Sequence, residues 1–155
     1  MSDALREQIA RLLDWQEAHA GFDKAVSGIP HALQGTVPTG FEHSAWQLLE
    51  HLRIAQEDIL DFSVNPTYAH KKWPDDYWPK DPVPPDAAAW DRSVAAYRAD
   101  RERMKKLALD PAIDLFAKIP HGDGQTYIRE ILIVADHGAY HVGQLVSLRR
   151  ALGIW

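Results

Sequence analysis

The 155-residue chain contains no cysteine. This rules out disulfides, thiolate metal sites and a cysteine nucleophile together. Any metal must be held by histidine, carboxylate and water. Long basic runs are missing as well: Lys71-Lys72 and Lys105-Lys106 are only doublets, and the formal charge is −5. A surface that tracks nucleic-acid phosphates is therefore not expected. No apolar run is long enough to span a bilayer, and the N-terminus shows no signal-peptide pattern. The expected setting is cytoplasmic, with neither nucleic acid nor membrane as partner. Strand-like alternation is also absent.

What is present is helical periodicity. The first segment covers about residues 3–26, where Leu5, Ile9, Leu12, Leu13 and Ala20 approximate one apolar stripe, ended by Gly28 and Pro30. Ser44-Ala45-Trp46-Gln47 reads as a capping box that opens a second helix. Its inward face would carry Leu48, His51, Leu52, Ala55, Ile59 and Phe62, and Pro66 stops it. Asp86 is the expected cap of a third helix over about 87–108, with Trp90, Val94, Tyr97, Met104 and Leu107 as its stripe. Asp110-Pro111 should start a short helical turn reaching about 118. Thr126 should cap a fourth helix running to about Leu152, with Gly153 as its stop.

Between the second and third helices, residues 65–86 hold Pro66, Pro74, Pro79, Pro82, Pro84 and Pro85 together with Tyr68, Trp73, Tyr77 and Trp78. Prolines this dense exclude a regular helix or central strand, and the aromatic content argues against disorder. The loop should pack over the helices. It is long enough to be a crossover, so an up-down-up-down order is not assured. With no sheet to cover, the helices would bury their stripes against one another. The expected fold is all-α: a single domain over residues 1–155, built as a four-helix bundle with a long proline- and aromatic-rich crossover loop.

The most informative stretch is Ala135-Asp136-His137-Gly138-Ala139-Tyr140-His141-Val142-Gly143-Gln144. Histidines four residues apart share a helix face, close enough for two imidazoles to reach one ion. His51, on the stripe of the second helix, is the third candidate, because an imidazole buried without a partner is costly. Spacing alone leaves two readings open. One ion is shared by His51, His137 and His141 with a coordination position left free, or His51 bonds a neighbouring side chain and no ion binds. The pair is not a zincin signature, since Gly138 stands where a His-Glu-x-x-His motif places its general base.

Three segments carry a resemblance to a known family: Ser44-Ala45-Trp46-Gln47-Leu48-Leu49-Glu50-His51-Leu52-Arg53, Gln125-Thr126-Tyr127-Ile128-Arg129-Glu130, and the stretch from Ala135 to Gln144. With the Trp73-Pro74-Asp75-Asp76-Tyr77-Trp78-Pro79 loop, they resemble the DinB-like family over nearly the whole chain. That resemblance implies a four-helix bundle with a three-histidine divalent metal site, often in a dimer. It carries the ligand role onto His51, His137 and His141. Relatives include metal-dependent thiol transferases and a thiol-dependent isomerase, and many members have no known reaction.

The expected cofactor is a divalent ion, zinc first, with nickel or iron as alternatives. The expected activity is that of a metal-dependent thiol S-transferase or a hydrolase acting on a small molecule, a low-molecular-weight thiol among the candidates. The competing expectation is a non-catalytic metal or small-ligand binding protein, and a homodimer is anticipated in either case. Of the other histidines, His19 falls near the end of the first helical segment, His43 precedes the cap of the second, and His31, His70 and His121 fall in loops. Asp136 is expected to face solvent, and Glu130 to place charge in a first helical turn. Trp73, Tyr77 and Trp78 are expected to anchor the loop or a dimer contact, with a substrate wall as the sharper alternative.

Overall fold

The computed structural model describes residues 2–155. Among them are six α-helices: α1 (Asp3–Leu12), α2 (Phe22–Val26), α3 (His31–Gln34), α4 (Ala45–Val64), α5 (Ala89–Leu109) and α6 (Tyr127–Ala151). The only strand-like pairing among these residues is an isolated bridge between Lys118 and Thr126. The fold is all-α, and none of its helices is long and apolar enough to cross a membrane.

The expected first helix is two helices with an irregular segment between them. Asp14, just past α1, pairs with Arg101 at 3.0 Å and Lys105 at 2.5 Å on α5. These ties take the backbone off the helical path where the sequence offers neither glycine nor proline to stop it. The buried face of α1 is also rotated from the expected stripe. Leu5 is exposed, whereas Arg6 is buried beside Ile9 and Ala10. The Arg6 guanidinium donates to the Ala108 carbonyl at 3.0 Å and the Ile113 carbonyl at 2.5 Å, which pays for its burial. Residues 110–118 form turns rather than a helix, with the Asp110 and Asp114 carboxylates each accepting from a backbone N–H two residues on. His31, expected in a loop, opens α3.

The long helices start close to where their caps predict. Ser44 and Gln47 close a capping box on α4, and Thr126 accepts from the Arg129 amide on α6. Asp86 is not the cap of α5; that position is Ala88, and Asp86 instead accepts from the Ala88 amide at 2.9 Å.

Hydrogen bonds between helices give their relative directions. Ser93 bonds Glu50, and Gln56 donates to the Tyr97 carbonyl at 2.7 Å, so α5 runs alongside α4 in the same direction. Arg6 meets Ala108 while Asp14 meets Arg101, so α1 opposes α5. Leu60 clusters with Ile131 and Val134, and Leu48 and Leu52 cluster with Val142, Leu145 and Leu148, so α6 opposes α4. The four longest helices are thus ordered up, down, down, up. A parallel α4–α5 pair needs a long return connection, and the aromatic loop supplies it. From its start to its end it touches α4 at Asp58, His51, Gln47 and Ser44 in turn, through Tyr68, the Tyr77 carbonyl, the Pro79 carbonyl and the Pro82 carbonyl.

The apolar core falls into two clusters. One joins α2, α4, α5 and the C-terminal half of α6. The other joins α1 and the far ends of α4 and α5 to the start of α6. His51 lies on the turn of α4 that carries Leu48 and Leu52 of the first cluster.

A candidate metal centre of three histidines

The α4–α6 contact brings His51, His137 and His141 together. One ring nitrogen from each lies within 4.8 Å of the others. The ring centroids are 4.9 Å apart for His51 and His137, 4.5 Å for His51 and His141, and 4.4 Å for His137 and His141. His51 and His141 are buried and His137 is half-buried. The helical i, i+4 spacing accounts for the His137–His141 pair. Antiparallel packing of α6 on α4 brings His51 to it.

The outer nitrogens fix the ring orientations. His51 Nδ1–H donates to the Tyr77 carbonyl at 3.1 Å, and His141 Nδ1–H donates to Gln144 Oε1 at 2.6 Å. The Gln144 amide nitrogen in turn donates to the Tyr140 hydroxyl at 3.2 Å. A neutral imidazole that donates through Nδ1 keeps its lone pair on Nε2. Two of the three rings therefore present bare Nε2 atoms, and the His51 and His137 Nε2 atoms are 3.0 Å apart. Two imidazole nitrogens on one tetrahedral zinc are separated by about 3.3 Å, given Zn–N bonds of roughly 2.0–2.1 Å. The donor set fits a divalent ion of intermediate softness.

Electrostatics favours the same state. Burial, aided by the neighbouring imidazoles, draws the His51 and His137 pKa values down to about 4. Burial also lowers His141. Metal ligation requires neutral imidazole, and these rings are neutral across the physiological range.

The aromatic loop roofs the cluster. The Trp78 ring stacks on His51 at 3.8 Å with planes 5° apart, and on its other face stacks His43 at 3.9 Å. Trp73 meets His51 edge-on at 6.3 Å and stays 66 % exposed. Two tyrosines fasten this roof to α4. The Tyr68 and Tyr77 hydroxyls both donate to the buried Asp58 carboxylate, at 2.9 and 2.5 Å, and the acceptor charge together with burial raises both phenol pKa values.

The DinB superfamily model matches residues 4–145 of this sequence. The chain belongs to the DinB superfamily. No curated protein and no solved structure matches it. Within this DinB protein, the histidines outside the triad divide by surroundings. His43, expected as a plain loop residue, is part of the aromatic stack. His19 is exposed and bonds the Ala20 carbonyl, and His121 donates to the Phe62 carbonyl at 2.7 Å. Asp136 faces solvent as expected, while Glu130 is buried and paired with Arg129.

The orienting role of Gln144 was within reach of the sequence, since i, i+3 residues meet on a helix. So was Asp58, a carboxylate seven residues beyond His51 on the same helix. The Tyr77 carbonyl leaves no signal in side-chain identity. Gly138, where a zincin carries its base, has a packing reason. A Cβ there would lie 3.2 Å from the Tyr97 hydroxyl, which crosses from α5 onto α6.

Proposed function

We propose that His51, His137 and His141 hold one divalent ion, zinc first and nickel or iron as alternatives, and that the protein uses it on a small-molecule substrate. The observation that carries this reading is the pair of tied Nδ1 atoms. Tying the outer nitrogens leaves the inner nitrogens of His51 and His141 free to ligate an ion, and hydrogen-bonded outer nitrogens are the usual support of metal-bound imidazole. Three protein ligands leave a coordination position for substrate or water, the arrangement of catalytic rather than structural zinc.

A divalent ion held there would act as a Lewis acid that lowers the proton affinity of a thiol or a water molecule. The remaining work falls to the chain. The Tyr77 carbonyl and Gln144 hold the imidazoles in register. Trp78 covers one face of His51 and keeps water from it. The ligand set is made of imidazole alone. A low-molecular-weight thiol ionises more readily than water, which favours transfer to or from such a thiol over hydrolysis. A non-catalytic metal-binding role is the alternative and predicts stoichiometric metal without turnover.

The test is metal analysis of protein purified without a tag or chelator, followed by a panel of thiols and electrophiles on the zinc-loaded form. About one divalent ion per chain is expected. A triple His51→Ala, His137→Ala, His141→Ala variant with undiminished metal content would overturn the ligand assignment. A homodimer and a cytoplasmic setting belong to the same proposal. Sedimentation at micromolar concentration tests the first and cell fractionation the second.

A further inference from the structure

Beside the triad lies a recess of about 540 Å³, a size suited to a small ligand. Two of its wall side chains contact His141. Gln144, which accepts from His141, forms part of its wall, as does Tyr140, whose ring packs edge-on against His141 at 4.9 Å while remaining 64 % exposed. Phe41 and Leu48 give it an apolar side. The only carboxylate in the lining is Glu42; the His43 imidazole also lines the recess, and the lining contains no lysine or arginine. An uncompensated carboxylate in the same small recess as an exposed phenol ring matches an ammonium group, through Coulomb attraction and the negative face of the ring. The same surroundings disfavour a second carboxylate.

We propose that this recess is a subsite for the ammonium end of an amine-bearing substrate whose other end reaches the imidazole cluster. The proposal rests on the thiol reading above and narrows it: the preferred thiol is an aminothiol. Phe41 and Leu48 would line the methylene chain, and Glu42 and Tyr140 would hold the cation.

The experiment is calorimetric titration of the zinc-loaded protein at about pH 8, where free imidazole is largely uncharged. The probes are aminothiols with two-, three- and six-carbon chains, hydroxythiols of the same lengths, and the matching mercaptocarboxylates. At the best chain length the aminothiol should bind tightest and the mercaptocarboxylate weakest. Glu42→Gln changes an exposed side chain. It should cut the amino-over-hydroxy preference about fivefold, the equivalent of about 1 kcal/mol, with hydroxythiol affinity and zinc content unchanged. A preference unaltered by Glu42→Gln, or tightest binding by the mercaptocarboxylates, would overturn the subsite while leaving the thiol reading in place. Absence of binding by every thiol to protein that retains its zinc would remove both.

Discussion

Among the described residues, the His137 ring bonds only to His51, whereas His51 and His141 each also hold an acceptor through Nδ1. His137→Ala should therefore remove the metal with little other cost. The expected outcome is loss of bound ion by elemental analysis with helical circular dichroism retained. Gln144→Leu removes the acceptor that fixes His141. It should weaken zinc binding about 10- to 100-fold in a chelator competition assay while the fold persists. Acid sensitivity follows from the buried imidazoles. The folded pKa values of His51 and His137 lie near 4, below the unfolded value of about 6.5. The unfolded chain thus binds more protons between those limits, so stability of the metal-free protein is full above about pH 6.5 and declines as pH falls toward 4. Denaturant midpoints measured across that range should drop toward acid, and a flat profile would contradict neutral burial of the rings. Because protons compete for the same nitrogens, the ion should be retained at pH 6 and lost below about 4.

At the scale of elements, the aromatic loop is held to α4 by a small number of polar ties. Asp58→Ala would strip the acceptor from both the Tyr68 and Tyr77 hydroxyls. Each lost bond to a charged group is worth about 1.5–3 kcal/mol. The expected readout is faster proteolytic cleavage within residues 65–88, together with weaker metal binding, because the Tyr77 carbonyl that steadies His51 moves with the loop. Ser44 has a double role, capping α4 at the Gln47 amide and donating to the Pro82 carbonyl at 2.6 Å. The capping box, the i, i+4 histidine pair and the proline-dense loop were each legible because they are local: a few neighbouring side chains decide them. The break after α1 was not legible. It is imposed by Arg101 and Lys105, about ninety residues away in sequence, and the local pattern alone reads as one continuous helix. Burial of Arg6 rather than Leu5 has the same origin, since its carbonyl partners lie on α5 and in the turn beyond it.

For the whole molecule, the up, down, down, up order places His51 of α4 opposite the His137–His141 pair of α6 by antiparallel packing, and the loop that makes α4 and α5 parallel also roofs the site. An ion bound across α4 and α6 would cross-link two helices that run through both core clusters. Ligand linkage then predicts about 2.7 kcal/mol of added stability at free zinc 100-fold above the dissociation constant. For a chain of this size that corresponds to a rise of roughly 5–10 °C in Tm. Scanning calorimetry with zinc and with chelator should show this difference. Coincident transitions would argue against an ion held between helices.

Composition and periodicity by themselves determined that the protein is helical, that thiolate chemistry is absent from the chain, and that His137 and His141 share a face. These are properties of short windows, set by side-chain type and the 3.6-residue turn. Only the tertiary structure decided that His51 joins them, which outer nitrogens are tied, that Trp78 lies over the cluster, and that Glu42 and Tyr140 line one recess. Those facts depend on how separate helices and a loop pack, and the packing is fixed by contacts between residues far apart in the chain.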